Sequence, residues 1–400
     1  MKILYIVQYF RFPDQIGSTR PYDLAVEFVR HGYDVTVLTS DMSGEAKHKW
    51  NLTERDGLKV YRLDCPYDNK MGFFRRILAF CKYFTQASIK QFSFDYDLML
   101  ASSTPLTNGI PALVAQKFRK KPFVFEVRDV WPGVPIAMGY FKNRLVQKLL
   151  YSFEKRIYKK ASAIVPLSVG MDENIKQRYP NDKSVVIPNI CELRRFAHAE
   201  KTVDIQFPEG KKIVLYAGTF GKVNGLDYVI HLAKETLSLD PDLWYYLIGK
   251  GKEKSDNMKE AEELGVLNRN VFFFDPVKKD DLPYLYRNCT VGSSFVINLP
   301  ALWDNSANKF FDTLAAGKPM IINHEGWQAD TIRKNDCGYV LPPIVTSEVA
   351  KAFVEYIKIE KNLALQGEKA LDLAKEEFSL EVAVNKYLRI FEQIGKNIRL

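Results

Sequence analysis

The sequence alternates short apolar runs with segments of helical spacing, and this alternation occurs twice. Residues 2–7 form an apolar run, which is followed by a loop, a helical stretch at 19–31 and a second apolar run at 34–39. A new series begins at 212–216, after a polar span at 194–210. Apolar runs separated by helices are typical of a parallel sheet that is covered by helices. The chain is therefore expected to be an α/β protein with two Rossmann-like domains that face a cleft.

The polar span at 194–210 gives the predicted domain boundary. A chain of 400 residues is long enough for two domains that each bury a core. We assign residues 1–193 to an N-terminal domain and residues 194–379 to a C-terminal domain. The amphipathic tail at 380–400 is expected to form a helix that packs back on the N-terminal domain.

The composition predicts a cytoplasmic protein. Hydrophobic residues make up 46% of the chain and charged residues 26%, as in globular proteins. The five cysteines lie far apart and form no metal-ligand pattern, which favours a reducing compartment without structural zinc. The apolar start is too short for a signal peptide, and no run approaches the length of a membrane span. We therefore expect a protein that is neither exported nor membrane-spanning.

The net charge of +9 is concentrated in the first half of the chain. Residues 70–92 carry five basic side chains and no acidic one, and residues 140–160 carry seven basic side chains against Glu154. A basic surface of this kind implies an anionic partner, either a membrane or a polyanion.

Residues 71–92 have the spacing of an amphipathic helix, which we predict to lie on an anionic membrane surface. The alternative is an ordinary domain helix whose phenylalanines belong to the core. The predicted apolar face consists of Phe73, Ile77, Phe80 and Phe84, and the basic residues are Arg75, Arg76, Lys82 and Lys90.

The stretch 304–319 predicts a short helix whose N-terminus binds a phosphate. Asn305 and Ser306 are good N-caps, and Gly317 followed by Pro319 is a stop signal. The first main-chain amides of such a helix are free and lie at the positive end of its dipole. The amides concerned are those of Ala307, Asn308 and Lys309, with the Lys309 ammonium beside them.

Asp312 lies one helical turn after Asn308, on the same face of this predicted helix. A carboxylate at that place can accept hydrogen bonds from both hydroxyls of a ribose. The alternative is a surface helix in which Lys309 and Asp312 form an i,i+3 ion pair.

Polar residues and glycines also follow several predicted strands, where α/β sheets bind ligands. Gly17 and Ser18 lie in the loop after the first strand, and Arg128 and Asp129 come directly after the strand at 123–127. Two further loops are rich in glycine. They contain Gly218, Gly221, Lys222 and Gly225 in the first case, and Gly249 and Gly251 in the second. Neither loop has the spacing of the dinucleotide motif GxGxxG.

The order of these motifs resembles that of GT-B glycosyltransferases of family 4, the retaining group. The resemblance rests on GxxGxxxGLD at 218–227, GxG at 249–251 and NKFFDTLAAGKP at 308–319. In the first half, EVRDVWP at 126–132 and IPN at 187–189 are similar to the WbuB-like bacterial polysaccharide and O-antigen enzymes.

This resemblance implies roles for individual residues. Lys222 and Lys309 would stabilise the leaving diphosphate, and Arg128 and Asp129 would orient or deprotonate the acceptor hydroxyl, with Trp131 stacking on a sugar. Glu325 is assigned a contact with the donor sugar. The donor-binding set implied by the resemblance is Gly17, Ser18, Gly218, Thr219, Gly221, Lys222, Gly249, Asp304, Ser306, Ala307, Asn308, Lys309, Asp312 and Glu325.

The chain departs from the family pattern at two places. The acidic pair Glu-x7-Glu of the family appears as Asp304-x7-Asp312, which leaves the role of Asp304 open. The arginine and lysine that many members place around the first glycine-rich loop fall on Thr219 and Asn224.

The implied function is a hexosyl transfer from a nucleotide sugar, with UDP favoured, to an undecaprenyl-type lipid-linked or oligosaccharide acceptor. Such an enzyme would build lipopolysaccharide, O-antigen or capsule at the inner face of the cytoplasmic membrane, as a peripheral protein. The N-terminal domain would bind the acceptor and the C-terminal domain the donor. The alternatives are a GT-B-shaped nucleotide-sugar epimerase and a nucleic-acid binder, the latter explaining the charge alone.

We expect neither a cofactor nor a metal ion. Asp95 and Asp97 form a DxD pattern, which binds metal in some sugar-nucleotide enzymes, but here the pattern precedes its strand instead of following one. The five histidines are scattered along the chain. We also expect no nucleic-acid partner.

Overall fold

The computed structural model describes residues 1–43, 49–66, 71–198, 200–201 and 203–399, and its strands form two sheets. The strands before the predicted domain boundary are β1 (Lys2–Val7), β2 (Asp34–Asp41), β3 (Trp50–Arg55), β4 (Leu58–Asp64), β5 (Leu98–Ser102), β6 (Phe123–Val127) and β7 (Ala163–Pro166). Those after it are β8 (Lys212–Thr219), β9 (Leu243–Lys250), β10 (Val271–Phe274), β11 (Val291–Ser294), β12 (Met320–Ile322) and β13 (Gly338–Val340).

Helices connect the strands in both halves of the chain. In the first half they are α1 (Arg20–Arg30), α2 (Phe73–Lys90), α3 (Gly109–Val114), α4 (Gly133–Ala137), α5 (Arg144–Lys160) and α6 (Val169–Arg178). The later helices are α7 (Leu193–Ala197), α8 (Asp227–Leu237), α9 (Lys254–Glu263), α10 (Leu282–Asn288), α11 (Asn308–Ala315), α12 (Trp327–Asn335), α13 (Ser347–Lys358), α14 (Glu360–Glu376) and α15 (Leu380–Arg399).

The first sheet has seven strands in the order β3-β4-β2-β1-β5-β6-β7, and the second has six in the order β10-β9-β8-β11-β12-β13. Every pairing is parallel except that of β3 with β4. The prediction of a two-domain α/β fold is thus confirmed. In each sheet the strand order reverses beside the first strand, at β1 and at β8, and this is where open α/β sheets bind ligands.

Buried side chains cover both faces of both sheets. In the first sheet, alternate residues of β1 point to opposite cores: Ile3 and Tyr5 to one, Leu4 and Ile6 to the other. The second sheet is divided in the same way, with Val214 and Leu215 of β8 in different cores. This period of two follows from the pleat of a strand.

The C-terminal helix α15 packs against the first sheet, although it follows the second in sequence. Tyr387 and Phe391 contact the ring of Phe28 in α1, with centroids 5.5 and 5.1 Å away. The Tyr387 hydroxyl donates a hydrogen bond of 2.7 Å to Glu126 of β6. The last helix therefore contributes to the core of the N-terminal half.

Sequence reasoning placed most strands but missed one hairpin. The strands β3 and β4 are joined at Asp56 and Gly57, both of which have positive φ. An Asp-Gly pair between two runs is a hairpin signal, so the sequence did contain the information. The apolar segment 185–189 forms no strand.

Two further findings, on membrane-spanning helices and on cysteines, hold for the residues that the structure describes. None of their helices is long and apolar enough to cross a membrane. All five cysteines carry free thiols, and four of them are buried.

Candidate active site

The carboxyl edge of β8, next to the start of α11, brings together most residues of the predicted donor site. β8 lies between β9 and β11, and the pairing of β8 with β9 extends to Thr219 and Lys250. Helix α11 follows β11 and packs on both β11 and β8. Its N-terminus therefore faces the glycine-rich loop that follows β8.

Helix α11 begins later than the sequence predicted. Its N-cap is Ala307, without a side-chain cap, so the prediction that Asn305 and Ser306 are the caps is wrong. Contacts with distant residues bind the preceding segment outside the helix. Asn189 donates its side-chain amide to the Ser306 carbonyl, and Trp327 donates its indole N–H to the Asn305 carbonyl at 3.0 Å. The main-chain amides of Asn308 and Lys309 therefore lie in the first turn of α11, where no preceding turn supplies hydrogen-bond acceptors for them.

Lys309 extends from this first turn across Gly218. A Cβ atom at position 218 would lie 2.9 Å from Lys309 Cε, so glycine is what makes room for the lysine. The ammonium lies 4.7 Å from the centroid of the Tyr216 ring. Burial lowers the pKa of Lys309 to about 8, and the nearby Asp312 carboxylate opposes the shift only in part. A cation whose charge is disfavoured by burial is suited to an anionic ligand.

Asp312 is buried and forms an ion pair, but not with Lys309. Its oxygens lie 2.5 and 2.7 Å from the Lys279 ammonium. Lys279 was not predicted, because it lies 33 residues away in the sequence and belongs to no recognisable motif. The alternative of a surface Lys309–Asp312 pair is therefore not what the structure shows.

The glycine-rich loops pack against each other. A Cβ at Gly249 would lie 1.8 Å from the Gly218 carbonyl oxygen, and one at Gly251 would lie 2.0 Å from that of Phe220. The close approach of the two loop backbones thus explains both glycines of the GxG motif. Gly221 is half-buried, whereas Thr219 is exposed.

Lys222 is exposed in the turn Lys222–Asn224 that follows this loop. Lys309, by contrast, is half-buried. The two lysines predicted to act together therefore differ in burial.

Lys254 is a second residue that the sequence did not reveal. It stands where a dinucleotide motif would have its third glycine. Its ammonium donates to the carbonyls of Gly249 and Phe274 at 3.1 and 2.8 Å and to Asp275 at 3.0 Å. Lys254 therefore joins the carboxyl ends of β9 and β10, next to the candidate site.

The loop after β1 reaches the donor side from the other sheet. Ser18 Oγ donates to Asn308 Oδ1 at 3.2 Å, and Lys279 donates its main-chain N–H to the Gln15 carbonyl at 3.3 Å. Gly17, between these contacts, is exposed and has a φ of +128°. The structure thus brings Gly17 and Ser18 to the start of α11.

Asp304 and Glu325 lie at the margins of the site. The Asp304 carboxylate packs on Gly170, where a Cβ would lie 2.0 Å from Oδ1, and its main-chain carbonyl accepts from Ser168 at 2.7 Å. Burial and the Glu173 carboxylate raise the pKa of Asp304. Glu325 is exposed and pairs with Arg333 at 2.6 and 2.8 Å. The role of each stays a prediction.

The predicted acceptor residues follow β6 at the edge of the first sheet. Arg128 is half-buried and donates its main-chain N–H to Ser103 at 2.9 Å, while the exposed Asp129 accepts from the Thr104 hydroxyl. Trp131 packs edge-on against Phe141, with centroids 5.7 Å apart, and is half-buried.

The two sheet edges meet near residues 300–304. Helix α4, which follows Trp131, contacts the turn Pro300–Leu302, and Ser168 bonds to Asp304. Acceptor-side and donor-side residues therefore flank one cleft.

Within the described part of the chain, no group of three or more His, Cys, Asp or Glu residues could hold a metal ion. Asp95 and Asp97 instead bind the first strand: the Lys2 ammonium lies 2.8 Å from Asp95, and the Lys2 amide donates to Asp97 at 2.8 Å. Metal independence stays a prediction.

Two family models match the chain. Residues 17–190 match the glycosyl transferase 4-like domain, and residues 198–372 match the glycosyl transferases group 1. The two matches meet close to the predicted domain boundary and together include nearly all residues of the candidate site.

Individual relatives agree with these matches. WcaI of Escherichia coli K12, a glycosyl transferase named for colanic acid biosynthesis, is 30% identical over 40% of each chain. An uncharacterized glycosyltransferase of Methanocaldococcus jannaschii is 20% identical over 92% of this chain and 93% of its own. The match to WcaI thus spans less than half of that relative.

Among solved structures, HepE of Anabaena in complex with UDP and glucose has a similar fold. Its TM-score is 0.70 at 15% identity, over 98% of this chain and 100% of HepE. At this identity the likeness concerns the fold alone.

Proposed function

Because this chain is a glycosyltransferase of the GT-B fold, we propose that it moves a sugar from a UDP-sugar to a lipid-linked acceptor with retention of configuration. The observation that carries the proposal is the placement of Lys309 and Asp312 on the first turn and second turn of α11, beside the loop after β8. A diphosphate fits the free amides and the half-buried Lys309 beside them. A ribose fits the carboxylate one turn further on. HepE, which holds UDP in its solved structure, supports uridine as the base.

The chemistry proposed for this site is leaving-group stabilisation. When the bond between the anomeric carbon and the β-phosphate oxygen breaks, negative charge develops on the diphosphate. The Lys309 ammonium and the first amides of α11 are already oriented towards that charge, so they need no reorganisation in the transition state. Lys222, in the exposed turn, would add a second cation after the donor has bound.

On the acceptor side, Asp129 would orient the incoming hydroxyl. In a front-face displacement the acceptor oxygen bonds to the anomeric carbon on the side from which the diphosphate leaves. The acceptor proton then passes to the departing phosphate oxygen, and configuration is retained. Arg128 and Trp131 would bind the acceptor sugar beside Asp129.

An acceptor on a membrane is supported by the outer surface of one helix layer. Helices α2, α3 and α5 all pack on the same face of the first sheet, through Tyr83, Ala112 and Ile157. The opposite sides of these helices expose large apolar residues among basic ones. Those that are at least 60% exposed are Leu78 (66%) and Ile89 (61%) of α2, Leu145 (71%) and Leu149 (69%) of α5, and Phe118 (65%), which follows α3.

The predicted membrane helix 71–92 is α2, although its faces differ from those expected. Its buried side consists of Ala79, Tyr83 and Ala87, and Phe80 and Phe84 are half-buried. The side chain of Phe73 lies outside the described residues. We propose that Ile77 and Leu78, together with the exposed leucines of α5, contact an anionic membrane. The acceptor would then be an undecaprenyl-type lipid-linked sugar of a surface polysaccharide, as the likeness to WcaI suggests.

The test is to incubate the protein with UDP-, GDP-, ADP- and dTDP-sugars, with and without a polyprenyl-diphosphate sugar acceptor. The proposal predicts release of UDP that requires the acceptor, and a product with the donor's anomeric configuration. Sugar epimerisation without an acceptor would instead identify a nucleotide-sugar epimerase. Release of no nucleotide with any acceptor would contradict the proposed activity.

A further inference from the structure

A lysine from outside the sequence motifs forms an ion pair with the carboxylate of the candidate ribose site. Lys279 approaches both oxygens of Asp312, at 2.5 and 2.7 Å. The side chains of the pair are only 9% and 8% exposed. A buried pair of this kind persists only when its geometry is good. The carboxylate is thus held in one orientation before any ligand binds.

The main chain of Lys279 is fixed from the other half of the molecule. Its N–H donates to the Gln15 carbonyl in the loop after β1, at 3.3 Å. The next residue, Asp280, accepts from Arg195, which also donates to Asp23 of α1 at 2.9 Å. The ammonium therefore extends from a backbone anchored across the cleft, towards a helix of the second sheet.

We propose that Lys279 is a positioning residue, which orients the Asp312 carboxylate to receive the two hydroxyls of the donor ribose. This inference rests on the proposed function, since it assumes a nucleoside diphosphate at α11. A carboxylate has about four lone-pair sites. The ammonium bonds to both oxygens, and each oxygen keeps lone-pair capacity for a ribose hydroxyl. Lys279 also balances the charge of Asp312, so that the full charge of Lys309 remains available to the diphosphate.

Two other roles of Lys279 would have different consequences for ligand binding. If Lys279 merely occupied the space of the ribose, a ligand would have to displace it, and its removal would strengthen binding. If it served only to stabilise the fold, its removal would lower stability without changing the preference for a complete ribose.

The experiment measures the preference for UDP over 2′-deoxy-UDP by titration calorimetry. A hydrogen bond from a ribose hydroxyl to a carboxylate predicts a preference of roughly ten- to a hundredfold in the wild type. Lys279→Met removes the ammonium charge at similar length, and Asp312→Asn removes the carboxylate charge and replaces one acceptor oxygen with an amide nitrogen, which cannot accept. We expect both to reduce the preference to about threefold or less, and the double variant to reduce it no further.

Lys212→Met is the matched control. Lys212 also pairs with a buried aspartate, Asp240, at 3.3 Å, but at the amino end of β8. Its replacement should leave the preference unchanged. Should Lys279→Met fail to fold, Lys279→Gln keeps a neutral donor of similar size and is expected to reduce the preference at least threefold.

An unchanged preference in a folded Lys279 variant overturns the inference, and so does tighter binding of UDP. Failure of the wild type to bind UDP has a separate meaning. It contradicts the uridine donor of the proposed function, and the role of Lys279 falls with it.

Discussion

Replacing Lys309 with methionine tests the proposed leaving-group site most directly. Methionine retains the packing across Gly218 and removes the ammonium that lies beside the Tyr216 ring. A preorganised donor aimed at developing charge contributes about 3 to 4 kcal/mol, which corresponds to about a hundredfold to a thousandfold in kcat. A surface lysine paired with Asp312 would instead contribute only about 0.2 to 0.5 kcal/mol to stability and nothing to the rate.

The same substitution is also expected to change the free energy of unfolding, in the direction opposite to its effect on the rate. Because burial lowers the pKa of Lys309 to about 8, the folded protein binds fewer protons at this site than the unfolded chain does. Between pH 8 and the ordinary lysine value of 10.5, wild-type stability should therefore rise relative to that of Lys309→Met. Below pH 8 the variant should be at least as stable as the wild type, because no buried charge remains.

The assay measures kcat and kcat/KM for the donor in both proteins from pH 6 to 9.5, with EDTA present throughout. Wild-type kcat/KM for the donor should be constant at low pH and fall as Lys309 loses its proton near pH 8, whereas the variant should show a low and flat profile. A fully active Lys309→Met would locate the phosphate site elsewhere. Loss of wild-type turnover in EDTA, with recovery in Mg²⁺ or Mn²⁺, would refute metal independence.

Three further outcomes are expected. Asp312→Asn should raise the donor KM while kcat stays nearly unchanged, since a ribose contact acts in the ground and transition states alike; a fall in kcat alone would contradict the ribose role. Serine at both Leu145 and Leu149 should weaken co-sedimentation with anionic liposomes, whereas Leu365→Ser, at an exposed site in α14, should not. Tyr387→Phe should lower the free energy of unfolding by about 2 kcal/mol in urea titrations, because it removes a buried hydrogen bond to a carboxylate; an unchanged midpoint would contradict this.

The strands were predictable because a buried strand needs a short apolar run, which any sequence reveals. β1 and β6 begin and end at the expected residues. The start of α11 was not predictable, because the good capping residues at 305 and 306 lie outside the helix, where their main-chain carbonyls bond to Trp327 and Asn189. Those partners come from distant parts of the chain, and local signals cannot represent them.

The candidate site could likewise be predicted only in part from the sequence. Lys309 and Asp312 lie three residues apart on neighbouring turns of one helix, so their proximity follows from helical geometry alone. Lys279 reaches Asp312 from a different element, and Lys254 joins the ends of two strands. Such residues appear in no local pattern, since their roles arise only when the sheet brings its carboxyl edges together.

The position of the acceptor residues depends on a buried network that extends to α15. Glu126 lies two residues before Arg128 on β6 and is fully buried. Burial alone would raise the pKa of Glu126, but Arg20 and its other partners lower it below its ordinary value. Arg20 lies 2.9 Å from this carboxylate, and the Tyr387 hydroxyl at 2.7 Å completes the set. The strand end that carries Arg128 and Asp129 is therefore fixed from α1 and from α15, so a helix that ends the chain takes part in shaping the acceptor side of the cleft.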